Sequence, residues 1–288
     1  MSSSIAELIS ERMDAMPAGE RRAAQALVAN YPLIGLETVA EFSSSAGVSS
    51  PTILRFVARL GFQNYAEFQD TLKEELSAQL QSPLSRVPST VRAEGDGSPM
   101  LAATIDNIRE TFRHFPERQM QAVVTDLVNP RAHIYFVGGR FTDPLARYMA
   151  AHMTILRQDV FHLSGQESNW RDRLIDMGRG DALVIFDIRR YQDSLLTLAE
   201  KAHRRGVRIV LLTDQWLSPI ARFARHVVAG RTGVPSAWDS SAALMVAAEI
   251  LIAEATRKLG AAGAMRMQEM ETLRLDAELP VTQKSRKP

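Results

Sequence analysis

Cysteine is absent from the 288 residues, which excludes disulfides and thiolate metal sites and is compatible with a reducing compartment. Long apolar runs are lacking too. No stretch approaches the roughly 20 residues that span a bilayer, and the opening MSSSIAELISERMD carries charges throughout in place of a signal-peptide core. The expectation is a cytoplasmic protein with no membrane partner. Net charge is nearly nil, +1 from 34 basic and 33 acidic side chains, so the overall balance points to no class of partner. His114, His133, His152, His162, His203 and His226 stand singly, and no pair has the HxxxH spacing of a metal site. No metal, cofactor or catalytic residue is expected. What is present, 45% hydrophobic and 23% charged residues, is ordinary globular composition at a length that suits two domains.

The stretch Thr38 to Phe62, TVAEFSSSAGVSSPTILRFVARLGF, is the most informative. It reads as two short helices around a tight turn. The first carries Val39, Ala40 and Phe42 and ends at Ala46-Gly47, where glycine takes the left-handed conformation that closes a helix. Val48 plugs the turn. Ser49 or Ser50 caps the second helix, and Pro51 sits in its first turn, where a missing amide hydrogen costs nothing. An inward stripe of Ile53, Leu54, Val57 and Leu60 is expected. Ser49, Ser50, Thr52, Arg55 and Arg59 are left outside, for DNA or, in a plain helical hairpin, for solvent alone. Small hydroxyls at a helix front and arginines a turn or two later suit the major groove, where the front reads base edges and the arginines reach guanine or phosphate.

Flanked by PAGERRAAQALVANYP and by QNYAEFQDTLKEEL, this run resembles the N-terminal helix-turn-helix domain of the RpiR family of bacterial transcriptional regulators. The resemblance covers residues 17–80 and implies a DNA-binding regulator. Local charge runs against it, with six basic and ten acidic side chains over residues 1–80, although both Arg55 and Arg59 fall on the recognition helix. One head should therefore bind weakly and salt-sensitively, with affinity supplied by a homodimer or homotetramer on a palindromic double-stranded operator.

Proline, glycine and serine accumulate from Gln81 to Pro99, which reads as a linker between halves that fold separately. One helix is expected over about 100–128, with Leu101, Ile105, Ile108 and Phe112. From Ala132 the rhythm becomes strand, turn, helix: AHIYFVGG, DVFHL, GDALVIFDI, GVRIVLLTD and HVVAG are five strands, and a long helix follows over about 238–260. Such alternation implies a parallel sheet covered on both faces, with ligands at the strand C-terminal ends. The expected organisation is an all-α helix-turn-helix domain over residues 1–80, a linker over 81–99, a three-layer α/β domain with a five-stranded parallel sheet over 100–260, and a C-terminal helix with a disordered tail over 261–288.

The order of these elements resembles a sugar isomerase (SIS) domain, the usual partner of such a head. In that family a glycine- and serine-bearing turn and a Ser-x-Ser-Gly-x-Thr turn hold a phosphosugar, since hydroxyls and amides at helix N-termini suit a phosphate. The resemblance thus implies an effector site at Gly138 and Gly139, with Arg140 where a serine usually stands and Thr142 two residues on. Asp187, Arg189, Arg190 and Gln192 replace the second turn, and Ser218 matches the family's Ser-Pro turn. Two readings follow. The arginines grip an anionic, sugar-phosphate- or carboxylate-like effector in bidentate fashion, or Asp187 pairs with Arg140 or Arg189 and leaves a ligand-independent dimerisation scaffold. Trp238 is a ring for stacking or a packing anchor, and Asp239 or Ser240 is expected to cap the last helix. A phosphosugar isomerase would need a base at a carbon acid and a polarised carbonyl; sensing is expected over turnover.

Overall fold

The computed structural model describes residues 4–80 and 98–278; most of the expected linker and the last residues of the expected tail lie outside them. Among the described residues the first half holds six α-helices, α1 (Ile5–Arg12), α2 (Ala18–Ala29), the short α3 (Leu33–Leu36), α4 (Val39–Ala46), α5 (Ser50–Arg59) and α6 (Tyr65–Leu80), with a short 3-10 segment (Met13–Ala15) after α1. α4 opens with a capping box in which the Thr38 hydroxyl accepts from the Glu41 amide while the Glu41 carboxylate accepts from the Thr38 amide. It closes at Gly47, whose φ of 62° is the left-handed conformation the sequence demands. Ser49, not Ser50, is the N-cap of α5.

The inward face of α5 differs from expectation at one position. Ile53, Phe56, Val57 and Leu60 are buried, whereas Leu54 is 48% exposed. Steps of three and four residues from Ile53 lead to Phe56 and Val57, and the Phe56 ring meets Phe42 of α4 edge-on at 6.3 Å. That contact fixes the rotation of α5 and turns Leu54 outward.

The second half starts with α7 (Pro99–Arg113) and α8 (Glu117–Leu127). The single helix expected over 100–128 breaks at His114 to Pro116, because a residue ahead of proline is pushed out of helical backbone. Pro99, placed in the expected linker, is already the first residue of α7. Then come β1 (Ile134–Gly138), α9 (Asp143–Leu156), β2 (Val160–His162), α10 (Glu167–Arg173), β3 (Ala182–Asp187), α11 (Asp193–Arg204), β4 (Arg208–Asp214), a 3-10 turn (Pro219–Phe223), β5 (His226–Gly230) and α12 (Ala242–Glu278). α12 runs through the boundary expected near 260, with a bend at Gly260, where φ is 52°.

All five strands are parallel, in the order β2-β1-β3-β4-β5. Alternate side chains face opposite ways. Ile134, Phe136, Val184, Phe186, Val210 and Leu212 pack against α8, α9 and α12. Tyr135, Val137, Leu183, Ile185, Ile209 and Leu211 face α10, α11 and the 3-10 turn, and this second layer is continuous with the core of the helical half. The halves expected to fold separately thus share an apolar cluster. α1 adds polar ties. The Glu7 carboxylate and the Arg231 guanidinium form a buried bidentate pair at 2.7 and 2.7 Å, and Ser10 donates to the His114 carbonyl. Among the described residues no helix is long and apolar enough to cross a membrane.

Candidate effector site and nucleic-acid interface

In an open parallel sheet, the strand order reverses between β1 and β3, and a crevice opens there at their C-terminal ends. A cavity of about 420 Å³ occupies that crevice. The loop after β1 contributes Gly139, Arg140, Phe141 and Thr142. The loop after β3 contributes Asp187 to Arg190 and Gln192, and the segment before α12 contributes Ala237, Trp238, Asp239 and Ser241. Eight of the ten expected effector residues are therefore brought together.

Gly138 and Ser218 are the two that are not. A Cβ on Gly138 would lie 2.4 Å from the Asp143 amide nitrogen, so this glycine serves the close approach of α9 to β1. Ser218 is buried behind the pocket, its hydroxyl donating to the Asp187 carboxylate at 2.5 Å and capping the 3-10 turn. Thr142 lines the cavity, but its hydroxyl is committed: it donates to the Phe186 carbonyl at 2.6 Å and accepts from the Gly139 amide at 2.8 Å. Gln192 sends its amide to Glu167 and Ser194, tying the β3 loop to α10.

Behind the mouth lies a buried acidic cluster. Asp187 is pushed up to about 7 by burial, with Asp214 adding to the rise and the bonds from Ser218 and the Gln192 amide opposing it. Asp214, fully enclosed, is raised by burial to about 6 against the opposing bonds from Arg189, Tyr191 and Trp216. Asp187 pairs with Ser218 and not with Arg140 or Arg189, so the pairing that would close the pocket does not form. Arg189 is instead enclosed. Its backbone amide donates to Asp214 at 2.6 Å, its Nε lies 2.8 Å from the Asp239 carboxylate, and its guanidinium rests 4.1 Å from the Trp216 ring centroid. Asp239, expected as a helix cap, is the ion partner of Arg189; Ser240 accepts from the Ala242 amide at the start of α12.

Arg140 and Arg190 remain as exposed cations at the mouth. Arg190 holds a left-handed φ of 62°, an uncommon state for a side chain of this size. Phe141 and Trp238, both exposed, meet edge-on at 5.8 Å, and Arg140 lies 5.2 Å from the Phe141 centroid. Phe141 escaped the sequence reading because nothing distinguishes an aromatic in a glycine turn from a core anchor; its place immediately after Arg140 was the available signal. The site thus offers two cations, two rings and the N-termini of α9 and α11.

On the helical half, Thr52, Arg55 and Arg59 lie along one side of α5 with the N-cap Ser49 at its front, whereas the Ser50 hydroxyl lies 3.3 Å from that of Ser43 in α4. The Ser49 and Thr52 hydroxyls are 2.9 Å apart, and Arg55 donates to Thr52 at 3.1 Å. Arg59 is paired with the buried Glu20 of α2, so it ties α5 to its neighbour. Leu54 joins the exposed side, and its apolar surface suits a thymine methyl group.

Residues 3–79 match the helix-turn-helix domain of the rpiR family, and residues 126–254 match the SIS domain. The chain is 26% identical over 223 residues to the HTH-type transcriptional regulator HexR of Pseudomonas aeruginosa, covering 75% of each. It is also 26% identical over 225 residues to Bifunctional protein glk of Paraburkholderia xenovorans; this covers 77% of the chain but 34% of that relative, so the chain spans about a third of its length. Among solved structures, the sugar isomerase domain of an RpiR transcription factor from Sphaerobacter thermophilus aligns with a TM-score of 0.57 at 22% identity, covering 60% of this chain and 96% of that one. The Vibrio vulnificus NanR protein complexed with ManNAc-6P aligns at 0.54 and 14% identity, covering 96% and 100%. Both show the fold.

Proposed function

The chain belongs to the RpiR family of transcriptional regulators, joining an rpiR-type helix-turn-helix domain to a SIS domain, and on that premise we propose that it binds a small anionic, ring-bearing effector, of sugar-phosphate or sugar-acid type, in the cavity between the β1 and β3 loops. The observation that carries this is the convergence of Arg140 and Arg190 with Phe141 and Trp238 on one crevice at the strand switch point. Two guanidinium groups supply the forked donors a phosphate or carboxylate accepts, and the rings supply a surface for the apolar face of a sugar. The NanR protein was solved with a phosphosugar, which supports the same ligand class here. The protein works in the cytoplasm as a homodimer or homotetramer, and Ser49, Ser50, Thr52, Leu54 and Arg55 of each head face the operator. Asp187 is engaged with Ser218 deep in the wall, which favours sensing over turnover.

The test has two arms on the full chain. Thermal melting against sugar phosphates, sugar acids and inorganic phosphate should show a ligand that raises Tm by a few degrees at about 100 times its Kd, and Arg140→Ala with Arg190→Ala should abolish the rise. Selection from a random duplex pool should yield a two-fold-symmetric site that Arg55→Ala no longer distinguishes, with a loss of about 1–3 kcal/mol. Silence across the ligand panel would leave the DNA-binding half standing and remove the anionic effector.

A further inference from the structure

Arg189 lies where the cavity and the DNA-binding half meet, and its bonds run to both. On the cavity side its Nε faces Asp239 at 2.8 Å, and both residues line the pocket. On the other side its Nη1 donates to the Ala78 carbonyl at 2.6 Å. Ala78 is the third-last described residue of α6, the helix that follows the helix-turn-helix. Arg189 thus ties α6 to the effector-site loop, 111 residues away in sequence. The Trp216 ring lies against the guanidinium, 4.1 Å from ring centroid to Cζ.

We propose that Arg189 is a latch: an anion in the cavity captures its guanidinium, the Ala78 bond breaks, and α6 around Ala78 is released from the sheet. This rests on the effector reading above and names how that site is coupled to the head. A guanidinium has five N–H groups, but its plane meets one bidentate acceptor at a time on a given edge. An oxyanion entering between Arg140 and Arg190 brings negative charge beside Asp239 and competes with it and with Ala78 for the same donors. The pair of Glu7 on α1 and Arg231 after β5 stays in place, because it lies outside the lining of this cavity. Release at α6 with retention of the contacts made by α1 converts ligand occupancy into a change in how the head is held, which is the differential interaction that any coupling requires.

Hydrogen exchange of the full chain reads the latch directly. Without any ligand, Arg189→Ala should speed exchange of the amides of α6 around Ala78 and leave those of β1, β3 and β4 as in wild type; a general loss of stability would speed all of them. Glucose 6-phosphate or inorganic phosphate, at a concentration that shifts the melting curve, should speed the same α6 amides in wild type and add nothing in Arg189→Ala. Asp239→Asn keeps the arginine and removes its carboxylate competitor, so it should tighten binding of that anion by about tenfold, the scale of one charge-assisted hydrogen bond. If an anion shifts melting while α6 exchange stays unchanged or slows, the latch is wrong and the effector reading survives. If no anion shifts melting, both fall together. Unchanged α6 exchange in a folded Arg189→Ala protein overturns the latch whatever the ligand does.

Discussion

Asp187 carries a proton into the neutral range because burial disfavours its charged form, and its pKa of about 7 stands well above the ordinary value near 3.9. The folded chain therefore keeps a proton that the unfolded chain has already lost. Stability from this group is fully present below about pH 4 and is lost as pH rises through about 7, at up to about 1.4 kcal/mol per unit. Asp214, raised to about 6, and Glu75 of α6, raised by burial to about 7, act in the same direction. The Tm of the ligand-free protein should accordingly fall between about pH 5 and pH 8, and Asp187→Asn should make that slope shallower; an unaltered slope would remove Asp187 as its source. Asp187 could be placed in sequence by its distance from Gly180-Asp181. Its partner Ser218 was placed beside the ligand, where the structure puts it behind the wall, because no spacing rule says which side of a loop a hydroxyl takes. The pairing of Arg189 with Asp239 was similarly hidden: the two sit on irregular loops, where no periodicity predicts what meets.

Helices and strands carried clearer signals than loops. HVVAG marks β5 residue for residue, since a short apolar run ending in glycine leaves little freedom, and Gly47 marks the end of α4 because the turn needs a left-handed residue. Rotation of α5 was harder to read, for Leu54 and Phe56 are both apolar and each makes a plausible stripe with Val57. The contact with Phe42 decides it. Phe56→Ala should cost about 3–5 kcal/mol as a large buried ring, whereas Leu54→Ala should change stability by only about 0.5 kcal/mol and weaken operator binding. Urea unfolding and gel-shift titration of the two variants separate these outcomes, and a large stability loss at Leu54 would place it back in the core. The break between α7 and α8 was available in His114-Phe115-Pro116 but was overrun by the apolar pattern on its N-terminal side.

Across the whole molecule, the fold class, the five parallel strands and the helix-turn-helix followed from pattern, while the seam between the halves did not. Glu7 and Arg231 are 224 positions apart, and neither belongs to a motif. Removing one partner of such a buried pair leaves an uncompensated charge, so Arg231→Met should lose about 3–5 kcal/mol. Adding Glu7→Gln should recover a good part of it, since the glutamine keeps the N-terminal cap of α1 without the charge. Equal melting of the single and double variants would show that the two charges do not depend on each other.

The apolar cluster that runs from the helical half into one face of the sheet has a practical consequence for protein engineering. A graft that joins this head to a foreign sensor at residue 98 would cut through the cluster that holds Ile5, Ile9 and Met16 together with Leu217, Ile220 and Ala221, and would bare apolar surface at the cut. Such exposed apolar patches favour self-association. Chimaeras built from this protein will stay soluble only if the recipient surface is rewritten to receive α1, or if α1 travels with the sensor and the cut is made after Ala15.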